Sequence, residues 1–493
     1  MERKEKGLTL YETYNEMSKV VSSTMGAQGR FVALASDGSN KITKDGATVA
    51  QALNKVQGLN THESLCAGFL GDATRSANRL GDGTSNSITL SAEMLKLLRE
   101  DEDKVVQKTL QLRDEVEFFT EKLKEHTNKN PKNFETVVDI AGHPDTKELV
   151  IEGLRFSENL SLSRGKVGEK TTLEKIEGSY IETDIHPDFH DTFNLKGAGV
   201  VLIDGDLNNN TDITAILSKA VQEMGVSSLV IFARGFSEDM IVYMLEANLH
   251  SKGALKILPV VSPWIGTKKR AAYYGDIGSI TSTTPIKVED IEGKFSPDNI
   301  GKTDVVATTG SILLTNSNKS PEAQRRLESL EKELKEVKNA KKRELEERIN
   351  LFKGKSAVLK IGAETLSDLE ETYLRTLDGV SSGKNFLKEG ALRGGGVDLV
   401  YLSNKYRKNI PLLSKAVSKS IRVIMSNAKH SEETINKCIE EAKKEENKEK
   451  HLNLLEGKLN NQIRVWDATG VIISSLKTAT SISTTVARVE AVI

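Results

Sequence analysis

Between about residues 177 and 356 the hydrophobic pattern of this chain differs from that on either side. Short β-prone runs at 200–203, 229–233 and 255–261 alternate there with helical segments, the mark of a small α/β unit with its own sheet. Ahead of it, residues 8–30 read as an amphipathic helix ending in a glycine-rich turn. Residues 31–43 read as a β-hairpin turning at Asp37-Gly38, and helical patterns dominate from about 46 to 125. From Gly390 onward the pattern is helical again. Helical flanks around an α/β centre predict one domain inserted into another. Inside the centre, 320–353 is highly charged and helical, with Leu327, Leu330, Leu334 and Val337 at helical spacing. That apolar seam is too short for a free coiled coil and predicts a helical pair lying on a domain surface.

At 493 residues the chain calls for two to four domains. Lys+Arg 69 against Asp+Glu 70 leaves a formal charge of −1, with no global bias toward nucleic acid or anionic membrane. No apolar run reaches the roughly 18 residues of a membrane helix. The start, MERKEKGLTL, lacks the apolar core of a secretory signal. Cys66 and Cys438 form no framework and have no neighbours at metal-ligand spacing, so a reducing cytoplasm is the expected setting.

Three glycine-rich elements carry the chemistry. They are Thr24-Met25-Gly26-Ala27-Gln28-Gly29-Arg30, then Gly81-Asp82-Gly83-Thr84-Ser85 ahead of a helical run, then Gly394-Gly395-Gly396 ahead of another. Glycine lets backbone approach an anion closely, and a helix amino terminus offers free N–H groups to phosphate. An Asp beside such a turn suits Mg²⁺, which prefers oxygen ligands and keeps several waters. Singly, each element is also an ordinary helix start or packing point. Neither common nucleotide fingerprint is met. Gly301-Lys302-Thr303 and Gly354-Lys355-Ser356 have Ser296 and Ile349 where a P-loop has glycine, and the run from Gly81 to Asn86 lacks the third glycine of a dinucleotide motif.

Lys41-Ile42-Thr43-Lys44-Asp45-Gly46, Gly81-Asp82-Gly83-Thr84 and Glu389-Gly390-Ala391-Leu392-Arg393-Gly394-Gly395-Gly396-Val397, in this order and at these separations, resemble the group I chaperonins. Gly29-Arg30, Ala233 within LVIFAR, the stretch 263–277, Leu359-Lys360-Ile361-Gly362-Ala363 and VWDATGVIISSL around Asp467 extend the resemblance from about residue 8 to the last. It implies a multidomain α+β fold. A mostly helical equatorial ATP-binding domain (1–125 and 389–493) would carry a small α/β intermediate hinge domain (126–176 and 357–388) and an inserted α/β apical substrate-binding domain (177–356). It also implies an ATPase that folds nonnative polypeptides in a central cavity, using ATP, Mg²⁺ and K⁺. Copies of the chain would form seven-membered rings and take a lid co-chaperonin, in a bacterial cytoplasm, a phage-infected host or an organelle matrix. Nucleic acid and membrane are not among the implied partners.

The resemblance also assigns residues. Asp82 stands at the Mg²⁺ ligand, with Gly81, Gly83, Thr84 and Ser85 around the phosphates. Thr24, Met25, Gly26, Ala27 and Lys44 stand at nucleotide positions, Thr24 and Lys44 also at a monovalent-cation site through backbone oxygen. Asp45 and Asp378 match two acidic residues at the γ-phosphate, where Asp378 would orient or deprotonate the attacking water once its domain closes. Gly395 and Asp467 would meet the ribose, and Gly178, Gly354 and Gly390 would serve as hinges. Departures are also plain. Met25-Gly26-Ala27 replaces a Leu-Gly-Pro turn, and His451-Leu452-Asn453 falls where the family has Tyr-Asn-Ala-Ala. The chain stops at Val492-Ile493 without a Gly-Gly-Met tail, and 440–452 reads as a solvated helix face.

Family members hold clients in a shallow apolar groove between two apical helices and a preceding extended segment. Here that segment is Ile185-His186-Pro187-Asp188-Phe189-His190, with Ile185 and Phe189 as the expected contacts and its histidines as surface residues. The first helix turns Ile213, Ile216, Leu217, Ala220 and Val221 toward the core. In the second, the apolar run 240–245 exceeds one packed stripe, so Val242 and Tyr243 are expected to face a client. The competing reading is a ring scaffold or holdase that keeps the fold without a productive ATPase cycle.

Overall fold

The computed structural model describes residues 9–36, 39–56, 58–78, 82–183, 185–189, 193–308, 310–315, 320–337 and 340–489. The Asp37-Gly38 turn, Gly81 and His190 lie outside the described residues. The chain divides into two compact units, Met1–Ile151 with Thr365–Ile493, and Glu152–Glu364. The segments expected to form an intermediate domain are shared out between these units, 126–151 and 365–388 to the first and 152–176 and 357–364 to the second.

The first unit opens with α1 (Leu10–Ser22), started by a capping box. The Thr9 hydroxyl accepts the Glu12 N–H, and the Glu12 carboxylate accepts the Thr9 N–H at 2.8 Å. Strands β1 (Val32–Ser36) and β2 (Ser39–Thr43) pair antiparallel as the hairpin pattern predicts. Then come α2 (Gly46–Leu53), α3 (Thr61–Asn78), α4 (Thr84–Arg99), α5 (Val105–His126) and α6 (Phe134–Ala141). Ile88, Leu90, Met94, Leu95 and Leu98 of α4 are each 0% exposed, so α4 is the helix around which this unit is built.

The second unit contributes β3 (Leu160–Val167), β4 (Thr172–Glu182), β5 (Phe193–Asp204), α7 (Asn210–Leu217), β6 (Ser228–Ala233), α8 (Glu238–His250), β7 (Lys256–Val261) and α9 (Thr267–Thr281). It continues with β8 (Gly301–Thr308), β9 (Ser311–Thr315), α10 (Pro321–Glu336), α11 (Ala340–Lys353) and β10 (Lys355–Ala363). Its sheet runs β3-β10-β4-β9-β8-β5-β6-β7. Strands β5, β6 and β7 are parallel and read as unbroken apolar runs because both their faces are covered. The helical pair is found as α10 and α11: Leu330 is buried and Leu327, Leu334 and Val337 pack beside it. Asp276 of α9, fully buried, takes Arg326 at 2.8 Å and Arg348 at 2.5 Å, one cation from each helix of the pair.

Strand β4 changes partners midway. Residues 172–177 pair with β10 and 178–182 with β9. Gly178 is the switch point, and its N–H donates to the Gly354 carbonyl at 3.1 Å. A Cβ on Gly178 would lie 2.5 Å from the Leu314 carbonyl oxygen, and one on Gly354 would lie 2.7 Å from that of Gly178. Only glycine lets the strands approach this closely.

The first unit resumes with α12 (Leu366–Glu389), β11 (Ala391–Arg393), α13 (Val397–Lys405), α14 (Lys419–Asn427), α15 (Glu432–Ala442), β12 (His451–Asn453), β13 (Lys458–Asn460), β14 (Trp466–Ala468) and α16 (Thr469–Ala487). Leu476 and Ala479 of α16 join Tyr14, Leu95 and Phe119 in one core. The helix face expected over 440–452 is corrected, because α15 stops at Ala442 and the chain enters the β12–β13 hairpin. Its backbone is pinned inward by the buried Arg393, which donates to the Asn447 carbonyl at 2.8 Å and to that of Lys450 at 3.1 Å. Among the described residues, no helix is long and apolar enough to cross a membrane.

Candidate functional site

Two helices of the first unit begin on bare glycine. Gly83 precedes α4 at φ +98°, a left-handed conformation open to glycine, and no side chain caps the helix. A Cβ there would also sit 2.6 Å from the Ser475 hydroxyl. Gly396 precedes α13 in the same way, again uncapped. The first-turn N–H groups of α4 are therefore left for a ligand, whereas in α13 the Val397 N–H already donates to the Gly394 carbonyl at 3.4 Å. By contrast α2 is capped by Asp45, whose carboxylate accepts the Thr48 N–H at 2.8 Å.

Both uncapped starts open on a cavity of about 960 Å³. Every sequence-predicted nucleotide residue that is described lines it: Thr24, Met25, Gly26, Ala27, Lys44, Asp45, Asp82, Gly83, Thr84, Ser85, Asp378, Gly395 and Asp467. The loop after α1 is fastened there by the Lys44 ammonium, which donates to the Ala27 carbonyl at 2.8 Å, and Thr24 and Ser85 hydroxyls lie 3.2 Å apart. The triple-glycine turn is held by Asp398, which accepts from the Arg393 N–H at 2.6 Å and its Nε at 2.7 Å. The Gly395 N–H donates to Asp467 at 2.9 Å.

The carboxylates crowd one end. Burial raises the Asp378 carboxyl well above the usual range, with the charges of Asp82 and Asp45 pushing the same way and Arg375 opposing. Burial likewise raises Asp82, although the Gly83 N–H at 2.5 Å and the Ser382 hydroxyl at 3.4 Å favour its charged form. Asp467 is pushed up to about 6 by burial. Lys44 is lowered, first by burial and then by Arg375. The carboxylates thus carry more negative charge than their neighbours comfortably hold, which suits a divalent cation. Among the described residues no three His, Cys, Asp or Glu side chains cluster as a metal cage. Such a cation would take its remaining oxygens from phosphate and water, as Mg²⁺ does. The cavity also has an apolar part formed by Ile424, Leu452, Leu454 and Val465, so the departure at His451-Leu452-Asn453 still leaves a wall on which a flat base can rest.

Sequence reasoning missed Arg375 and Glu371. Both line the cavity from α12, on the face of Asp378 and Ser382, at the helical intervals 371, 375, 378 and 382. The Thr43 hydroxyl donates to Glu371 at 3.1 Å, and Arg375 donates to the Gly142 carbonyl at 3.1 Å. Gly390 closes α12 at φ +82°, with Ala391 and Asn128 exchanging backbone hydrogen bonds of 2.8 Å beside it.

The expected client contacts in the second unit divide. Ile185 and Phe189 are corrected: at 5% and 2% exposed they belong to the core and offer no surface. Their segment is tied down by the Ile185–Val260 bridge and by Thr183, whose hydroxyl donates to the Val261 carbonyl at 2.7 Å. Val242 is 52% exposed, whereas Tyr243 is half-buried against the core. Val221, read as a core residue, is exposed. Leu249 (75%) and Ile265 (91%) are exposed apolar side chains that the pattern did not single out.

No protein-family model matches the chain. Among curated proteins it is 26% identical over 462 residues to chaperonin 60 subunit beta 3, chloroplastic, of Arabidopsis thaliana, covering 84% of this chain and 74% of that one. It is 26% identical over 455 residues to the RuBisCO large subunit-binding protein subunit beta, chloroplastic, of Pisum sativum, with the same shares covered. Among solved structures, its fold matches the chaperonin gp146 from bacteriophage EL 2 (Pseudomonas aeruginosa) crystallised in the presence of ATP-BeFx. The TM-score is 0.66 at 19% identity, covering 97% of this chain and 96% of the phage chain. A second crystal form of the same protein gives a TM-score of 0.62 at 20% identity, covering 98% and 97%.

Proposed function

We propose that this chain, a divergent member of the group I chaperonin family, is a subunit of an ATP-dependent chaperone that hydrolyses ATP to fold nonnative polypeptides. One observation carries the ATPase reading. Segments as distant as 24–27, 44–45, 82–85, 378, 395 and 467 line one cavity, joining two uncapped helix starts to a carboxylate cluster. The open N–H groups of α4 would hold the phosphates with Thr84 and Ser85, while Gly395 and Asp467 would meet the ribose. Asp45 would face the γ-phosphate with Asp378, and Asp82 would hold Mg²⁺. The ion bound there supplies positive charge to the phosphates and to the neighbouring carboxylates. Asp378 would then stand as the carboxylate that takes a proton from the attacking water.

The remaining features belong to the same proposal. Equatorial, intermediate and apical domains keep the boundaries given above, with hinges at Gly178, Gly354 and Gly390. Backbone oxygens of Thr24 and Lys44 would hold K⁺. Seven copies would form each ring and take a lid co-chaperonin, in a cytoplasm or organelle matrix. Clients would bind at the exposed face of α8, where Val242 and Leu249 lie two helical turns apart beside Tyr243. ATP turnover by the purified protein, with and without a chemically unfolded polypeptide, tests the reading alongside electron micrographs. Rings whose turnover responds to the polypeptide support it. Rings that bind polypeptide without any turnover favour a holdase, and absence of both rings and turnover overturns it.

A further inference from the structure

His143 lines the same cavity, and nothing above gives it a role. It belongs to the loop that follows α6, and that loop is fixed at the carboxylate end. Arg375, whose charge acts on both Asp82 and Asp378, donates to the carbonyl of Gly142 at 3.1 Å. The imidazole is oriented by its own turn. The Asp145 N–H donates to His143 Nδ1 at 3.3 Å, so Nδ1 is the acceptor and the ring proton sits on Nε2. Burial lowers the ring below the ordinary histidine range; Arg375 pushes the same way, and Asp145 and Glu371 oppose. The ring is therefore neutral near pH 7, with one donor to offer. Among the described residues Nε2–H has no hydrogen-bond partner, although the side chain is only 22% exposed.

We propose that His143 binds the γ-phosphate, its Nε2–H donating to a terminal oxygen of ATP. ADP has no atom at that position. The loop after α6 thus distinguishes the two nucleotides by one hydrogen bond, which the phosphate-binding glycines, common to both, cannot do. The inference rests on the ATP reading above, and its test separates the two.

Binding of Mg²⁺-ADP and of a nonhydrolysable Mg²⁺-ATP analogue is measured by calorimetry on wild type, His143→Ala and His143→Gln. In His143→Ala the analogue should bind about tenfold more weakly or worse, as for a lost hydrogen bond to a charged group, while ADP stays within about twofold. His143→Gln places an amide N–H near the lost Nε2–H and should recover most of the affinity. If the alanine variant folds poorly, His143→Phe keeps the ring without the donor and carries the same prediction. Equal losses for both nucleotides, or an unchanged analogue, overturn the assignment. A wild type that binds neither nucleotide overturns the ATP reading beneath it as well.

Discussion

Asp467→Asn should make the nucleotide-free protein more stable while weakening nucleotide binding. The Asp467 carboxylate accepts the Gly395 N–H at 2.9 Å, yet burial pushes its pKa up to about 6. In an unfolded chain an Asp titrates near ~3.9, so the shift is about two units, or roughly 3 kcal/mol at ~1.4 kcal/mol per unit. The sign is fixed by the direction of the shift. The folded state holds the proton more tightly than the unfolded one, so this contribution is fully present below about pH 4 and lost as pH rises through about 6. Above that, keeping the carboxylate ionised costs up to the full amount; the side chain opens partly to the cavity, which makes it an upper bound. The amide of Asp467→Asn still accepts from Gly395 and has no charge to desolvate. Urea unfolding reports this by Trp466 fluorescence in a Trp264→Phe background, since the sequence has 2 tryptophans and Trp466 is in the unit with the site. The variant should gain up to about 3 kcal/mol at pH 8, roughly 1 kcal/mol near pH 4.5 and almost nothing below about pH 3. Its nucleotide affinity should fall about tenfold, because in the proposed site a ribose hydroxyl loses a charged acceptor. A variant less stable than its parent at pH 8, or a gain independent of pH, would refute the reasoning.

Asp82→Ala should abolish the Mg²⁺ dependence of nucleotide binding, read by titration with and without the ion, with affinity down about tenfold or more in its presence. Gly178→Ala puts a methyl 2.5 Å from the Leu314 carbonyl oxygen and should cost the second unit about 1–3 kcal/mol, followed by Trp264 fluorescence in urea. Val242→Glu, on a side chain already 52% exposed, should leave melting nearly unchanged and abolish capture of an unfolded polypeptide. Tyr243→Glu should also lower the melting temperature, because Tyr243 is half-buried against the core. Capture intact in Val242→Glu removes the α8 face from the client site.

The sequence disclosed most where local pattern and final environment agree. The runs that become β5, β6 and β7 are apolar throughout because both faces of the sheet are covered, and the α10–α11 seam follows helical spacing. It disclosed less where a distant contact decides. Nothing local at 443–453 announces a hairpin; that backbone turns inward because Arg393, some fifty residues earlier, is buried beneath it. Ile185 and Phe189 carry no mark distinguishing a groove-lining apolar side chain from a buried one until the bridge to Val260 is seen. At the candidate site, glycine turns and their acids are legible as short motifs, whereas Arg375 and Glu371 emerge only when helical spacing is projected from Asp378 along α12. The two uncapped helix starts could be suspected from Gly83 and Gly396, but their convergence on one cavity depends on the whole fold of the first unit.

Single-turnover hydrolysis of ATP by wild type and by Asp378→Ala, with nucleotide affinity measured on the same preparations, tests the ATP-driven chaperone reading most directly. Burial, with the charges of Asp82 and Asp45, raises the proton affinity of Asp378, and in the proposed cycle this carboxylate takes the proton of the attacking water. The wild type should hydrolyse ATP, and Asp378→Ala should bind nucleotide as tightly or more tightly while hydrolysing it about 10²-fold more slowly or worse. Hydrolysis by the variant at the wild-type rate, or a wild type that binds ATP and never hydrolyses it, would contradict the ATP-driven cycle.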